Sequence, residues 1–180
     1  MLFSKVIDLT ETLQQGMEVY PGDPDVSIVP IHHYDREGWL LRYLQMGSHT
    51  GTHVDAFSHM DEHGASLDKM PLTRFLGMAR VARIDQLLPE LIGLIFCEGD
   101  LTEDHLPLIL ASGAPFIGVG DGATMTVELE RALLKHQVVT FTRLVNCDQL
   151  PTDEGFFFIG LLLKIADGDG SPVRAVALVG

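Results

Sequence analysis

One stretch decides how this sequence is interpreted. It reads Gly47-Ser-His49-Thr-Gly51-Thr-His53-Val-Asp55-Ala-Phe57-Ser-His59, and four of the eight histidines of the chain lie between positions 49 and 63. A lone histidine is most often an ordinary surface residue. Two imidazoles and a carboxylate at close spacing, from His49, His53 and Asp55, are instead a ligand set that zinc and similar cations take, with one coordination position left for water. The stretch therefore predicts a divalent-metal site.

The spacing of these ligands constrains the backbone. On a straight strand His49 and His53 would lie about 13 Å apart, which is too far for one ion. On a helix the two histidines would stack one turn apart, but Asp55 would leave their face. The chain must therefore bend between the histidines, and Gly47 and Gly51 permit the bend. We expect a strand that ends at Met46 and continues as a glycine-hinged loop carrying the ligands.

The rest of the chain alternates short apolar runs with Gly, Pro and polar punctuation. Two segments, 102–111 and 126–136, have helical signals, among them a capping hydroxyl and an acidic first turn. Asp167-Gly-Asp-Gly170 is expected to be a turn that joins the last two strands as an antiparallel hairpin. Strands are expected at 5–9, 26–32, 40–46, 79–84, 91–97, 115–119, 138–145, 156–165 and 173–179. The pattern predicts one mixed α/β domain over residues 1–180.

Composition excludes several functional classes. The net charge is −13 and only 12 Lys and Arg are scattered along the chain, which argues against a nucleic-acid partner. The N-terminal residues do not form a secretory signal, and the longest apolar run, 156–163, is too short to span a bilayer. Cys97 and Cys147 lie in apolar segments and are expected to be buried free thiols. We expect a cytoplasmic protein with a small-molecule partner and no membrane.

At the central stretch, the sequence resembles the H-x-G-T-H-x-D-x-P-x-H signature of the cyclase family, which includes bacterial kynurenine formamidase and isatin hydrolase. The resemblance covers nearly the whole chain. It extends through the N-terminal segment with Gly16-Met-Glu-Val-Tyr-Pro-Gly-Asp-Pro24, and through Met70-Pro71-Leu72 and the stretch that follows. It also includes Leu144-Val-Asn-Cys-Asp-Gln-Leu-Pro151 and the C-terminal Gly-Ser-Pro-Val-Arg-Ala-Val176. Several motifs in the same order are far more specific than one.

The resemblance implies a swivelling β/β/α-type fold, a homodimer, and cleavage of an arylformamide-like amide bond by metal-activated water. It implies that His49, His53 and Asp55 hold a first cation, most simply zinc or manganese, with Asp55 bridging to a second. It makes His59 the general acid/base and places Tyr20 on the substrate ring. An imidazole that titrates near neutrality suits that role, although a residue that merely orients a ligand is the alternative. Tyr20 and Phe57 together suggest an apolar patch at the site.

Three positions depart from the family pattern. The family usually supplies its second metal with a histidine at the start of a helix and a glutamate twelve residues later. Glu130 and Thr142 occupy these positions here, and Phe57 replaces a proline. Glu130 remains a possible ligand for a hard cation, whereas Thr142 is a poor ligand.

Three hypotheses follow from these departures. The first is a hydrolase with one metal, in which Arg143 supplies the lost positive charge at the substrate. The second is a hydrolase with two metals and altered ligands such as Glu130, His136 or Asp121. The third is a protein of the same fold that binds a metal or small molecule without turnover. The intact first site and His59 favour an active hydrolase.

Overall fold

Two sheets and two short helices make up the structure, a computed structural model that describes residues 3–180. The strands are β1 (Lys5–Asp8), β2 (Ser27–His32), β3 (Leu41–Gln45), β4 (His53–Asp55), β5 (Leu76–Ala82), β6 (Gly93–Leu101), β7 (Phe116–Met125), β8 (Val139–Leu144), β9 (Phe156–Ile159), β10 (Gly170–Pro172) and β11 (Val176–Val179). The helices are α1 (Leu106–Ser112) and α2 (Val127–Lys135), and several single 3₁₀ turns connect the strands.

The larger sheet has nine strands in the order β1-β11-β9-β5-β6-β7-β8-β4-β10. Its centre, β5 to β8, is parallel, and the strands on either side pair antiparallel. The first halves of β6 and β7 are apolar, because their side chains contribute to core clusters on both faces of the sheet. The predicted mixed α/β fold is confirmed.

Aromatic packing holds the centre of the sheet. The rings of Phe116 and Phe158 lie 5.2 Å apart between centroids, and those of Phe141 and Phe158 lie 4.9 Å apart. All three side chains are fully buried. Gly93 leaves room for this cluster, because a Cβ there would lie 2.2 Å from the Phe116 ring. The sheet that carries the candidate site therefore has a closely packed aromatic cluster at its centre.

Both predicted helices are present and end as the sequence indicates. A capping Thr102 begins the 3₁₀ turn Glu103–His105 that leads into α1, and Gly113 ends α1 in a left-handed conformation with φ +67°. The hydroxyl of Thr126 accepts a hydrogen bond from the backbone N–H of Leu129 and caps α2. Helix α2 then packs against the turn that follows β4, which brings its first half close to the candidate site.

The second sheet is a two-stranded ribbon, β2 paired with β3. Every residue of β3 is exposed. The ribbon and its connecting loop present a set of exposed large apolar side chains: Val29, Ile31, Tyr34, Trp39, Leu40, Leu41, Tyr43 and Leu44. An isolated two-stranded ribbon is only marginally stable in water.

Three expectations about strands need correction. The strand expected at 156–165 ends at Ile159, because the chain leaves the ladder at Gly160, where a Cβ would lie 2.3 Å from Phe141 Cε1. The last two strands do pair antiparallel, but the connection between them contains β10, which pairs with β4 instead of forming a tight turn. The ligand stretch also contains a short strand, β4, where a loop was expected.

Within residues 3–180, no helix combines the length and the apolar character needed to span a membrane. Cys97 and Cys147 are free thiols, the first half-buried and the second buried.

Candidate metal centre

A glycine-hinged loop leads into the candidate site, as the ligand spacing requires. Gly51 adopts a left-handed conformation with φ +60°, and a Cβ there would lie 2.9 Å from the side chain of Leu13. Gly47 does not use a positive φ. The buried hydroxyl of Thr52 accepts a hydrogen bond from the backbone N–H of Glu11 (2.8 Å) and donates one to the carbonyl of Arg143 (2.6 Å). These bonds fix the loop to its neighbours on both sides.

Strand β4 then positions His53 and Asp55 on one face of the sheet, because alternate residues of a strand point the same way. The strand pairs with β8, with His53 opposite Thr142 and Asp55 opposite Thr140. The Thr140 hydroxyl donates a 2.8 Å hydrogen bond to Asp55 Oδ2. The loop was expected to bring all three ligands together. Strand β4 already places His53 and Asp55 side by side, so the bend at Gly51 is needed only to bring His49 to them.

The structure brings His49, His53 and Asp55 together around one point. Each offers a ligand atom, and these atoms lie within 4.8 Å of one another. Oδ1 of Asp55 is 2.8 Å from Nδ1 of His49 and 3.6 Å from Nε2 of His53. The Nδ1–H of His53 donates a 2.7 Å hydrogen bond to the carbonyl of Gly51. The other ring nitrogen of His53, Nε2, then carries a lone pair that is directed at the cluster.

The protonation of this cluster follows from burial and charge. Burial opposes ionisation of Asp55, but the hydrogen bond from His49 and the nearby His53 hold the pKa of Asp55 below its usual value. Burial also lowers the pKa of His53. Burial would lower the pKa of His49 too, but the flanking carboxylates of Asp55 and Asp169 outweigh it and raise that pKa to about 9. In the absence of a metal, the protonated imidazole of His49 can therefore donate one N–H to Asp55 and the other to Asp169.

His59 lies beside this cluster on the 3₁₀ turn Phe57–His59. Its ring centroid is 3.9 Å from that of His49, and its side chain is half-buried at the edge of a cavity. Burial and the charge of His49 lower the pKa of His59 from its usual value. This shift favours the neutral imidazole, which can accept a proton.

Sequence reasoning missed Asp169, which it treated as part of a turn. Oδ2 of Asp169 lies 2.9 Å from Nε2 of His49 and 3.6 Å from Nδ1 of His59. His49, His59 and Asp169 form a second group whose ligand atoms lie within 4.8 Å of one another. The available signal was the carboxylate itself, directly before the C-terminal motif that resembles the family, but nothing in the spacing connects it with a histidine 120 positions earlier.

Glu130 reaches the site from α2. Its carboxyl group lies within hydrogen-bonding reach of Asp55, and burial together with the negative charge of Asp55 raises the pKa of Glu130 to about 8. Two carboxyl groups this close share either a proton or a cation. Thr142, at the other position expected to differ from the family, directs its hydroxyl to Nε2 of His53 at 3.0 Å.

An open cavity of about 1030 Å³ lies above the cluster. Tyr20 and Arg143 are on its wall, and the side chain of Tyr20 is 66% exposed. The guanidinium of Arg143 donates to both carboxylate oxygens of Glu11, at 3.0 and 3.1 Å. Its positive charge is therefore paired with Glu11, which weakens the expectation that it replaces a missing metal charge at the substrate.

Three other expected positions lie elsewhere or farther away. Phe57 is buried in the hydrophobic core and does not line the cavity, so the apolar patch expected of it is a core contact. His136 is exposed at the end of α2, with its Nδ1 against the carbonyl of Ala132, and it is not a ligand of this site. Asp121 is on the cavity wall but outside both ligand groups.

The donor set suits a divalent cation. Nε2 of His53 has a lone pair within 3.0 Å of the Thr142 hydroxyl, Asp55 is a buried carboxylate, and Nδ1 of His49 faces the same point. Two nitrogen donors and one carboxylate leave a fourth position open towards the cavity, as in catalytic zinc sites. The set is equally suited to manganese or iron.

The fold and this cluster define a mixed α/β protein with a candidate His/Asp metal centre at the edge of its sheet. The chain belongs to the Cyclase family, whose sequence model matches residues 7–107. Kynurenine formamidase of Salinibacter ruber is 28% identical, with 95% of this chain and 96% of that protein covered. Isatin hydrolase A of Labrenzia aggregata, solved with benzyl benzoate, has a TM-score of 0.78 at 23% identity, with 97% of this chain and 93% of that chain covered. A structure described as a potential metal-dependent hydrolase with cyclase activity has a TM-score of 0.76 at 20% identity and covers 96% of each chain.

Proposed function

We propose that this protein is a metal-dependent amide hydrolase that acts on a small arylformamide-like substrate. The observation that carries the proposal is the convergence of His49, His53 and Asp55 beneath an open cavity, with the imidazole of His59 at its edge. The similarity to kynurenine formamidases over nearly the full length supports the choice of an amide bond.

In this proposal His49, His53 and Asp55 hold the cation. The cation supplies Lewis-acid chemistry, because it polarises a carbonyl and makes a water molecule acidic enough to act as a nucleophile near pH 7. The open side of the donor set faces the cavity, so a substrate carbonyl and a water have access to it. Tyr20 lines the cavity, and in this proposal it contacts the substrate ring.

His59 moves the proton. The neutral imidazole accepts a proton from the water as its oxygen bonds to the carbonyl carbon, and it returns the proton to the amine nitrogen as the C–N bond breaks. The products are a carboxylic acid and an amine. The depressed pKa of His59 keeps the base form dominant at neutral pH.

We propose one tightly held cation per chain. Thr142, which lies opposite His53, has no carboxylate to bind a second cation. The guanidinium of Arg143 forms an ion pair with Glu11. Of the two positions at which the family usually binds a second metal, only Glu130 brings a carboxyl group close to Asp55. Metal analysis of purified protein tests this proposal, and two ions per chain after dialysis would contradict it.

The test of function is hydrolysis of an N-formyl aromatic amine and of a small lactam, measured after chelation and after return of Zn²⁺ or Mn²⁺. We expect the activity to disappear on chelation and to return with metal. A protein that binds metal but hydrolyses neither compound class under any metal would support the alternative, a binding protein on the same fold.

We also propose that the ribbon β2–β3 mediates a homodimer. Its apolar side chains are exposed on both strands, which is unfavourable for an isolated chain in water. Sedimentation of the wild type and of a Leu41→Lys, Tyr43→Lys variant tests this, and a wild type that is monomeric at micromolar concentration would contradict it.

A further inference from the structure

We propose that Asp169 is a positioning residue that orients His49 for metal binding. In this arrangement Asp169 accepts a hydrogen bond from Nε2–H of His49, so that the lone pair of Nδ1 is directed at the cation beside Asp55. The inference rests on the proposed metal site and adds to it a residue outside the H-x-G-T-H-x-D stretch.

The contacts of His49 divide between its two ring nitrogens. Nδ1 is 2.8 Å from Oδ1 of Asp55, within the donor group, and Nε2 is 2.9 Å from Oδ2 of Asp169 on the opposite side. A metal-binding histidine commonly donates its other N–H to a carboxylate, which fixes the tautomer and the ring orientation. Asp169 occupies that place.

The carboxylate of Asp169 is itself held in position. Its Oδ1 accepts a 3.0 Å hydrogen bond from the hydroxyl of Ser48, the residue next to His49 in the chain. Its backbone carbonyl accepts a 2.8 Å hydrogen bond from the N–H of Ala56, which directly follows β4. Strand β10 begins at the next residue and pairs Gly170 with Asp55. The loop that carries Asp169 is therefore fastened to the strand that carries the other ligands.

Gly170 provides an independent sign that the ring of His49 is positioned from this side. A Cβ on Gly170 would lie 2.3 Å from Cε1 of His49, 2.7 Å from Nδ1 and 2.9 Å from Nε2. The imidazole therefore rests directly on the bare backbone of residue 170. Its position is defined by a hydrogen bond at one edge and by this contact across its face.

The alternative is that Asp169 is itself a ligand, together with His49 and His59, whose atoms form the second close group. The distances favour positioning, because Oδ2 lies at hydrogen-bond length from His49 but 3.6 Å from His59. Replacement of the Asp169 carboxylate by the amide of asparagine distinguishes the positioning role from direct ligation. An asparagine oxygen still accepts the hydrogen bond from Nε2–H, whereas it is a much weaker cation ligand than a carboxylate.

The experiment measures the affinity of metal-free protein for Mn²⁺ and for Zn²⁺ by competition with a chromophoric chelator at fixed pH. We expect Asp169→Ala to weaken binding about 10- to 100-fold and Asp169→Asn to weaken it clearly less. Asp167→Asn is the matched control, because Asp167 lies in the same loop but pairs with Lys69 in solvent. The control should bind as tightly as the wild type.

A second variant, Gly170→Ala, leaves Asp169 in place and displaces only the ring of His49. We expect a loss of metal affinity similar to that of Asp169→Ala, with circular dichroism and the melting temperature reporting whether the fold is retained. Equal losses in Asp169→Asn and Asp169→Ala would overturn the positioning role in favour of direct ligation. Wild-type affinity in Asp169→Ala would overturn the inference outright. Absence of metal binding in the wild type would instead remove the proposed metal site, and the inference with it.

Discussion

Thr142 lies directly opposite His53 in the ladder between β4 and β8, and its hydroxyl is 3.0 Å from Nε2 of His53. The family resemblance places a glutamate at this position and a histidine twelve residues earlier, at position 130. The strand pairing shows how such a glutamate would face the same space as Asp55. The first donor set is therefore complete in this chain, while the second lacks the carboxylate of β8.

A Glu130→His, Thr142→Glu double variant should restore a second cation site. Both positions already face Asp55 or His53, so the change supplies one imidazole and one carboxylate without moving the backbone. We expect metal content to rise from one ion per chain to two, measured by elemental analysis after dialysis. Thr142→Val, which removes only the hydroxyl, should keep one ion, and a double variant that also keeps one would contradict the assignment.

Replacing His59 should remove turnover without removing the metal. His59 provides the proton transfer in the proposed reaction, and this kind of catalysis contributes about 10²- to 10⁴-fold. We expect His59→Gln to lower kcat by that factor, with the metal affinity within a few-fold of the wild type. His63→Gln is the control, because the side chain of His63 is 86% exposed and lies outside both donor groups. Loss of metal in His59→Gln would instead mark His59 as a ligand.

Metal binding should release protons at pH 7.5. In the metal-free protein the pKa values of His49 and Glu130 are raised to about 9 and about 8, so both groups are largely protonated there. A cation needs a deprotonated nitrogen on His49 and repels the proton on Glu130. Titration calorimetry in buffers of different ionisation enthalpy should show that about one to two protons are released for each cation bound. No release would contradict the protonation described here.

The same pKa values set the pH dependence of stability without metal. Each of these two groups binds a proton more tightly in the folded chain than in the unfolded chain. Their contribution is therefore greatest at low pH and is lost as pH rises through about 8 and about 9. We expect the melting temperature of the metal-free protein to fall between pH 6.5 and 9. Bound metal should abolish or reverse that trend.

Thr52→Val should destabilise the fold itself. The Thr52 hydroxyl is buried and bonds to the backbone of both Glu11 and Arg143. Valine leaves both backbone groups without a partner, at a cost of about 1–3 kcal/mol. Urea unfolding of the metal-free protein measures this cost. Thr124→Val removes an exposed hydrogen bond to Asp100 and should cost less than about 0.5 kcal/mol.

The parts of the site that are local in sequence were predictable. His49, His53 and Asp55 lie within seven residues, so their spacing alone required a bend, and Gly51 supplies it. The two helices were predictable because Thr126 and Gly113 mark their ends by local chemistry.

The rest depends on contacts between distant residues. Asp169 reaches His49 only because β10 pairs with β4, and strands of three residues leave no periodic pattern to detect. Phe57 stands in a polar stretch and seemed to belong to the site, but it is directed into the core. The environment of Arg143 was equally hidden, because its partner Glu11 is 132 positions away.

The pairing of β10 with β4 also has a consequence for how the protein is made. The segment 49–59 leaves the ribosome more than 100 residues before Asp169 and Gly170 can meet it. Because domains generally fold as units once their distant parts are available, a nascent chain carries the histidines and Asp55 long before their orientation is fixed. The strand pairing that holds Asp169 beside His49 can therefore form only after synthesis has passed residue 172.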